Sequence, residues 1–143
     1  MAHGSYGAWS VAPIDFRVLR DLVVEVLEHE GYHVQRRRIT DRDVKVVGIH
    51  GSKLFAHLGQ SLPFGALLGI GSRVKATVHC RRSLTEGDPD LRLTVRCAPI
   101  EEFDSLEEEY MQSQDCIERV GDNRRAAQCF KRLVQALHAS EII

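Results

Sequence analysis

The sequence predicts an α+β fold: a two-layer sandwich whose antiparallel four-stranded sheet, built as two hairpins, is covered on one face by an N-terminal helix and a long C-terminal helix. Three observations carry this. Apolar residues recur at three- and four-residue spacing near both ends of the chain, they alternate with polar ones in paired segments between, and turn residues separate the segments. The order is α-β-β-(apolar segment)-β-β-α. A half-polar sheet needs cover on only one face, and two amphipathic helices supply it.

The first helix spans about Asp15 to Glu30. Phe16, Leu19, Leu22, Val23, Val26 and Leu27 share one face, Asp15 can accept hydrogen bonds from the first turn, and Gly31 suits a left-handed exit. Two strands follow, Tyr32 to Ile39 and Val44 to His50, joined by Thr40-Asp41-Arg42-Asp43. Pairing Ile39 with Val44 would set Arg38 opposite Lys45, an unfavourable like-charge pair, so a bulge or a longer loop is expected there. The second hairpin pairs Ser72 to Arg82 with Leu91 to Ala98. Val74, Ala76, Val78 and Cys80 point one way, as do Leu91, Leu93, Val95 and Cys97 on the partner. From Asp104 to about Ala139 the pattern reads as one long helix or two consecutive ones, with Gly121-Asp122-Asn123 as the break.

With 143 residues and 16.1 kDa the chain is one domain, expected over residues 13–143 behind a flexible head of residues 1–12. Apolar residues at 43% and charged residues at 27% exclude disordered and fibrous classes. Met1 to Ala12 lack the basic start and apolar run of a secretory signal. Four cysteines are too few for a disulfide scaffold. A turn near Glu86-Gly87 sets Cys80 and Cys97 about four residues out of register, too far to bridge. Free thiols and a cytoplasmic location are the expectation.

No cofactor or metal site is expected. The seven histidines lack zinc-ligand spacing, and no His-Glu-x-x-His occurs. His79 and Cys80, as neighbours on a strand, face opposite sides and cannot act as a nucleophile and base. Gly65 to Ser72 leads into a strand instead of opening a helix and lacks Gly-Lys-Ser/Thr, so it is no phosphate loop. The acidic turn residues Asp41, Asp43, Glu86, Asp88 and Asp90 fall short of a calcium loop.

Two segments carry functional expectations. From Leu54 to Ser72 there is no Asp, Glu, Lys or Arg, while four glycines and Pro63 interrupt the run. That interruption argues against a transmembrane span. An ordinary connection folded back over the core accounts for the segment plainly. The sharper reading makes it an apolar lid or interface. On that reading Leu58, Leu62, Phe64, Leu67, Leu68 and Ile70 hold an apolar small molecule, a protein partner or a second copy of the chain.

The second segment is the sheet. The formal net charge of -1 divides into -3 over residues 1–32, +7 over residues 33–99 and -5 over residues 100–143. Alternation puts Arg73, Lys75, His79, Arg81, Arg92 and Arg96 on the face away from the core, with Arg36, Arg37 and Arg38 nearby. The plain reading is a solvated face paired with acidic helices. The functional one is an anion- or nucleic-acid-binding surface that tracks phosphates without stacking bases, since neither strand carries an aromatic. The sequence therefore favours a non-enzymatic binding or assembly module acting through 54–72. A nucleic-acid-binding module is the alternative, and an enzyme with a site between sheet and lid is the weaker one.

Overall fold

The computed structural model describes residues 4–51, 73–82, 90–100 and 117–143. The elements are β1 (Ser5–Val11), α1 (Phe16–His29), β2 (His33–Ile39), β3 (Asp43–His50), β4 (Val74–Arg82), β5 (Leu91–Pro99), β6 (Ile117–Arg119) and α2 (Arg124–Ala139). One antiparallel sheet runs β2-β3-β4-β5-β1-β6. Helix α1 packs on β2 and β3, α2 packs on β5, β4 and β1, and the helices touch each other. The α+β class and the helical layer are those the sequence predicts.

The strand count is not. The sheet has six strands instead of four, and the two extra ones come from places read otherwise. Ser5–Val11 lies within the expected flexible head, yet it pairs with β5 along its whole length, from Ser5 opposite Cys97 to Val11 opposite Leu91. Ile117–Arg119 falls where the sequence predicts helix but pairs with β1. The reason is non-local: β5 and β1 offer open edges whose backbone groups must be satisfied, and this outweighs the local preference of short segments. The C-terminal helix accordingly starts at Arg124, one residue past the predicted break. The rest of the expected helix, residues 101–116, lies outside the described residues.

Helix α1 matches its signals closely. Asp15 caps it by accepting from the Arg17 N–H at 2.9 Å. Gly31 ends it at φ 85°, where a side chain would be strained. There the Tyr32 N–H donates to the Leu27 carbonyl at 2.8 Å and the Gly31 N–H to that of Glu28 at 3.1 Å, which closes a Schellman motif. Helix α2 ends in the same pattern with Glu141 at φ 58° in the glycine position. Its start is capped by Asn123, whose Oδ1 accepts from the Ala126 N–H at 3.0 Å.

The core lies between helices and sheet. Leu19, Val23 and Leu27 of α1 and Phe130, Leu133 and Leu137 of α2 meet Val44, Val46, Val78, Leu93 and Val95 of the sheet. Cross-strand register puts these sheet residues on one face. Strand β1 joins this face through Trp9, whose indole stacks on Phe130 with centroids 6.5 Å apart and planes at 19°. The ring lies over Gly7, where an added Cβ would come within 2.8 Å of Trp9 Cζ2. The Gly121 N–H donates to buried Ser5 Oγ at 3.0 Å, tying the approach to α2 to β1.

Candidate functional site

The first hairpin adopts the register that places Arg38 opposite Lys45, with Ile39 opposite Val44. The bulge falls elsewhere, between Val34 and Arg36. Asp43 explains why the like charges are tolerated. Its Oδ2 accepts from Arg38 Nη2 at 2.9 Å and lies 2.9 Å from His79 Nε2 across the strand boundary. Thr40 Oγ1 donates to Asp43 Oδ1, and the same hydroxyl accepts from the N–H groups of Arg42 and Asp43 at 3.2 and 3.1 Å. The Thr40 hydroxyl first, then His79 and Arg38, hold the Asp43 carboxyl down at about 2 against a small opposing effect of burial. A single turn thus fixes one anion among several cations.

Register across four strands extends this corner. Asp43 is opposite Arg81, Arg81 is opposite Arg92, and Lys45 is opposite His79. The Arg82 N–H donates to the Arg42 carbonyl at 3.0 Å, which brings those two residues to the same end. Among the described residues six cations therefore gather here: Arg38, Arg42, Lys45, Arg81, Arg82 and Arg92. Three carboxylates among the described residues, Asp41, Asp43 and Asp90, stand with them. Strands are spaced about 4.8 Å apart, so facing side chains such as Arg81 and Arg92 repel. Among the described residues, the side chains of Arg36, Arg42, Lys45, Arg81 and Arg82 form no ion pair.

The predicted basic residues do not all belong to this surface. Arg81 and Arg92 are half-buried at the corner, and His79 is engaged with Asp43. Lys75, half-buried, lies toward the other end of β4 opposite Ala98, and Arg73 precedes that strand. Arg96 is 5% exposed, and its neighbours on the same face, Thr77 and Tyr6, are also buried. The centre of this face is thus not solvated, and its accessible charge divides between the turn end, with Arg81 and Arg92, and the far end, with Arg73 and Lys75. The apolar candidates Leu58, Leu62, Phe64, Leu67, Leu68 and Ile70 lie outside the described residues.

Sequence reading gave Asp43 only a turn role and did not include Arg42, Lys45 or Arg82 in the site. The one signal was the Arg38–Lys45 conflict, which a nearby carboxylate had to answer.

The thiols offer little chemistry. Cys80 faces the core, opposite to His79, and burial pushes its thiol up to about 12. Cys97 is likewise raised, by burial first and then by Cys129. All three described cysteines are free, and the β4–β5 register leaves Cys80 and Cys97 four residues apart as expected. A second polar group lies at the edge of the core. The Arg125 guanidinium donates to His50 Nε2 at 2.8 Å, and the His50 ring meets Tyr32 edge-on at 5.2 Å. Burial and then the Arg125 charge lower the His50 pKa. Among the described residues no group of three or more His, Cys, Asp or Glu could hold a metal ion, and no helix is long and apolar enough to cross a membrane.

No protein-family model matches the chain. No curated protein matches it either.

Proposed function

We propose that the protein is a non-enzymatic binding module that engages the phosphate backbone of a nucleic acid through the basic corner of its sheet. The observation that carries this is the alignment of Arg38, Lys45, His79, Arg81 and Arg92 on one face of four adjacent strands, with Asp43 as the carboxylate between them. Directly opposed like charges cost stability, and phosphate groups would offset that cost. The absence of aromatic residues from β4 and β5 favours backbone contact over base stacking.

The test is fluorescence polarisation with labelled single- and double-stranded 20-mers at low salt. Wild-type protein should bind, and the Arg81→Glu/Arg92→Glu double variant should bind at least tenfold more weakly while keeping its circular dichroism spectrum. No binding by wild type, or equal binding by both, overturns the proposal.

The second reading rests on the uncharged run of residues 54–72. There Leu58, Leu62, Phe64, Leu67, Leu68 and Ile70 would hold an apolar ligand, a protein partner or a second copy of the chain. Replacing Phe64 and Leu67 by Ser should then change the mass of the native assembly or its retained ligand in native mass spectrometry. Free, buried Cys80, Cys97 and Cys129 support a reducing, cytoplasmic setting for either reading. An enzymatic site between sheet and apolar segment has no supporting observation: His79 is held by Asp43, and Cys80 is buried on the opposite face.

A further inference from the structure

A groove of about 580 Å³ runs along the outer side of α2, between the helix and the residues just before it. Its floor and walls include Val120, Arg124, Ala127, Gln128, Lys131 and Gln135. The helical members, Arg132 included, fall at i, i+3, i+4, i+7, i+8 and i+11, which is a single stripe. The volume lies in the range of sites that hold a ligand or anchor a peptide. This surface belongs to the helical layer and not to the sheet corner, so it stands or falls separately from the nucleic-acid reading.

Three features define its occupant. Val120 is 45% exposed, one of two large apolar side chains so exposed among the described residues, and with Ala127 it gives the groove an apolar strip. Arg124 and Lys131 are exposed cations without an ion-pair partner among the described residues. They sit seven residues apart, about 10 Å along the helix axis. Arg132 is held by Glu30 at 3.5 Å, and Asp122 is the single carboxylate among the described lining residues. The described lining is therefore cationic at Arg124 and Lys131, with Ala127 between them in the helix and Val120 before it.

We propose that this groove docks an acidic amphipathic helix of a partner protein. Carboxylates at i and i+7 of a helix laid along α2 have the same spacing of about 10 Å and would meet Arg124 and Lys131. Apolar residues at i+3 and i+4 would cover Ala127, and the exposed Val120 would extend the apolar contact past Arg124, in the helix-in-groove manner. Charge selects an acidic helix over a basic one, and the apolar strip selects an amphipathic helix over a merely acidic tail.

The probe is a synthetic 15-residue helical peptide carrying Glu at i and i+7 and Leu at i+3 and i+4, titrated into the full-length ¹⁵N-labelled protein. Amide shifts should move at Val120, Ala127, Gln128 and Lys131, and binding should saturate. The Arg124→Glu/Lys131→Glu variant should lose at least tenfold in affinity; both side chains are exposed, so its amide spectrum should otherwise be retained. A peptide with Lys in place of Glu should not bind. Equal binding by the Lys peptide, unchanged affinity of the variant, or shifts confined to other surfaces would each overturn the proposal. So would an oligonucleotide that shifts these residues when the acidic peptide does not.

Discussion

Strand β1 is held in the sheet by a packing arrangement that one methyl group should disrupt. Gly7 lies beneath the Trp9 indole, and a Cβ there would come within 2.8 Å of Cζ2 and closer to the ring tip. In Gly7→Ala the indole must therefore move, and it cannot move without loosening its stacking on Phe130. Overpacking of this kind costs about 1–3 kcal/mol. Losing a glycine from the unfolded chain returns roughly 0.4–1 kcal/mol, which leaves a net loss of about 1–2 kcal/mol. That corresponds to a fall in Tm of about 3–6 °C. Trp9 is the sole tryptophan, so its emission reports the ring directly. Gly7→Ala should shift emission to the red and lower Tm. Against a Trp9→Leu background the same substitution should cost at least ~1 kcal/mol less, because the clash has gone. Unchanged emission, or additivity within about 0.5 kcal/mol, would show that the ring does not lie over Gly7.

Four further outcomes follow from named groups. Asp43→Asn should destabilise by about 1–2 kcal/mol at pH 7; the shift from 3.8 to about 2 gives a ceiling near 2.4 kcal/mol, and exposure of Arg38 reduces it. Because the folded pKa is the lower one, this stability is present above about pH 3.8 and is lost as pH falls toward 2, so acid denaturation curves of wild type and variant should converge there. His50 is also depressed on folding, so stability should decline as pH falls below 6.5, where the unfolded chain takes up the proton first. His50→Gln should flatten that decline in urea titrations between pH 7 and pH 5. Glu141→Gly should raise stability by roughly 0.5–1 kcal/mol, read as Tm, since a left-handed helix exit at φ 58° favours glycine. Cys80, Cys97 and Cys129 should resist a thiol reagent in the native protein and react on unfolding, with loss of protection following urea denaturation.

What was legible in the sequence was whatever a segment states locally. Asp15, the apolar stripe and Gly31 define α1 without reference to the rest of the chain, and the alternation of β4 and β5 identifies them and their inward faces. The helical break at 121–123 was legible for the same reason, since Asn123 caps α2. Strand β1 was obscure because its inward residues include Ser5 and Gly7, too small to give an alternating apolar signal. Their smallness is what admits Trp9 and the bond from Gly121. Strand β6, only three residues long, exists through its pairing with β1.

The site was legible as charge but not as position. Alternation assigns Arg96 and Arg81 to one face, yet the first is buried and the second stands at the corner. The Arg38–Lys45 conflict was visible in the sequence, and Asp43, which answers it by pairing with Arg38, lies in the same hairpin; only its bond to His79 depends on the placement of β4.

The central claim, that the basic corner binds a phosphate backbone, is tested most directly by the salt dependence of single-strand binding. If Lys45, Arg81, Arg82 and Arg92 each displace a counterion, log K should fall against log[salt] with a slope of about −3. Replacing Arg81 and Arg92 by Gln should reduce its magnitude by about 1.4. A slope near zero, or one that survives the double substitution unchanged, would contradict the account.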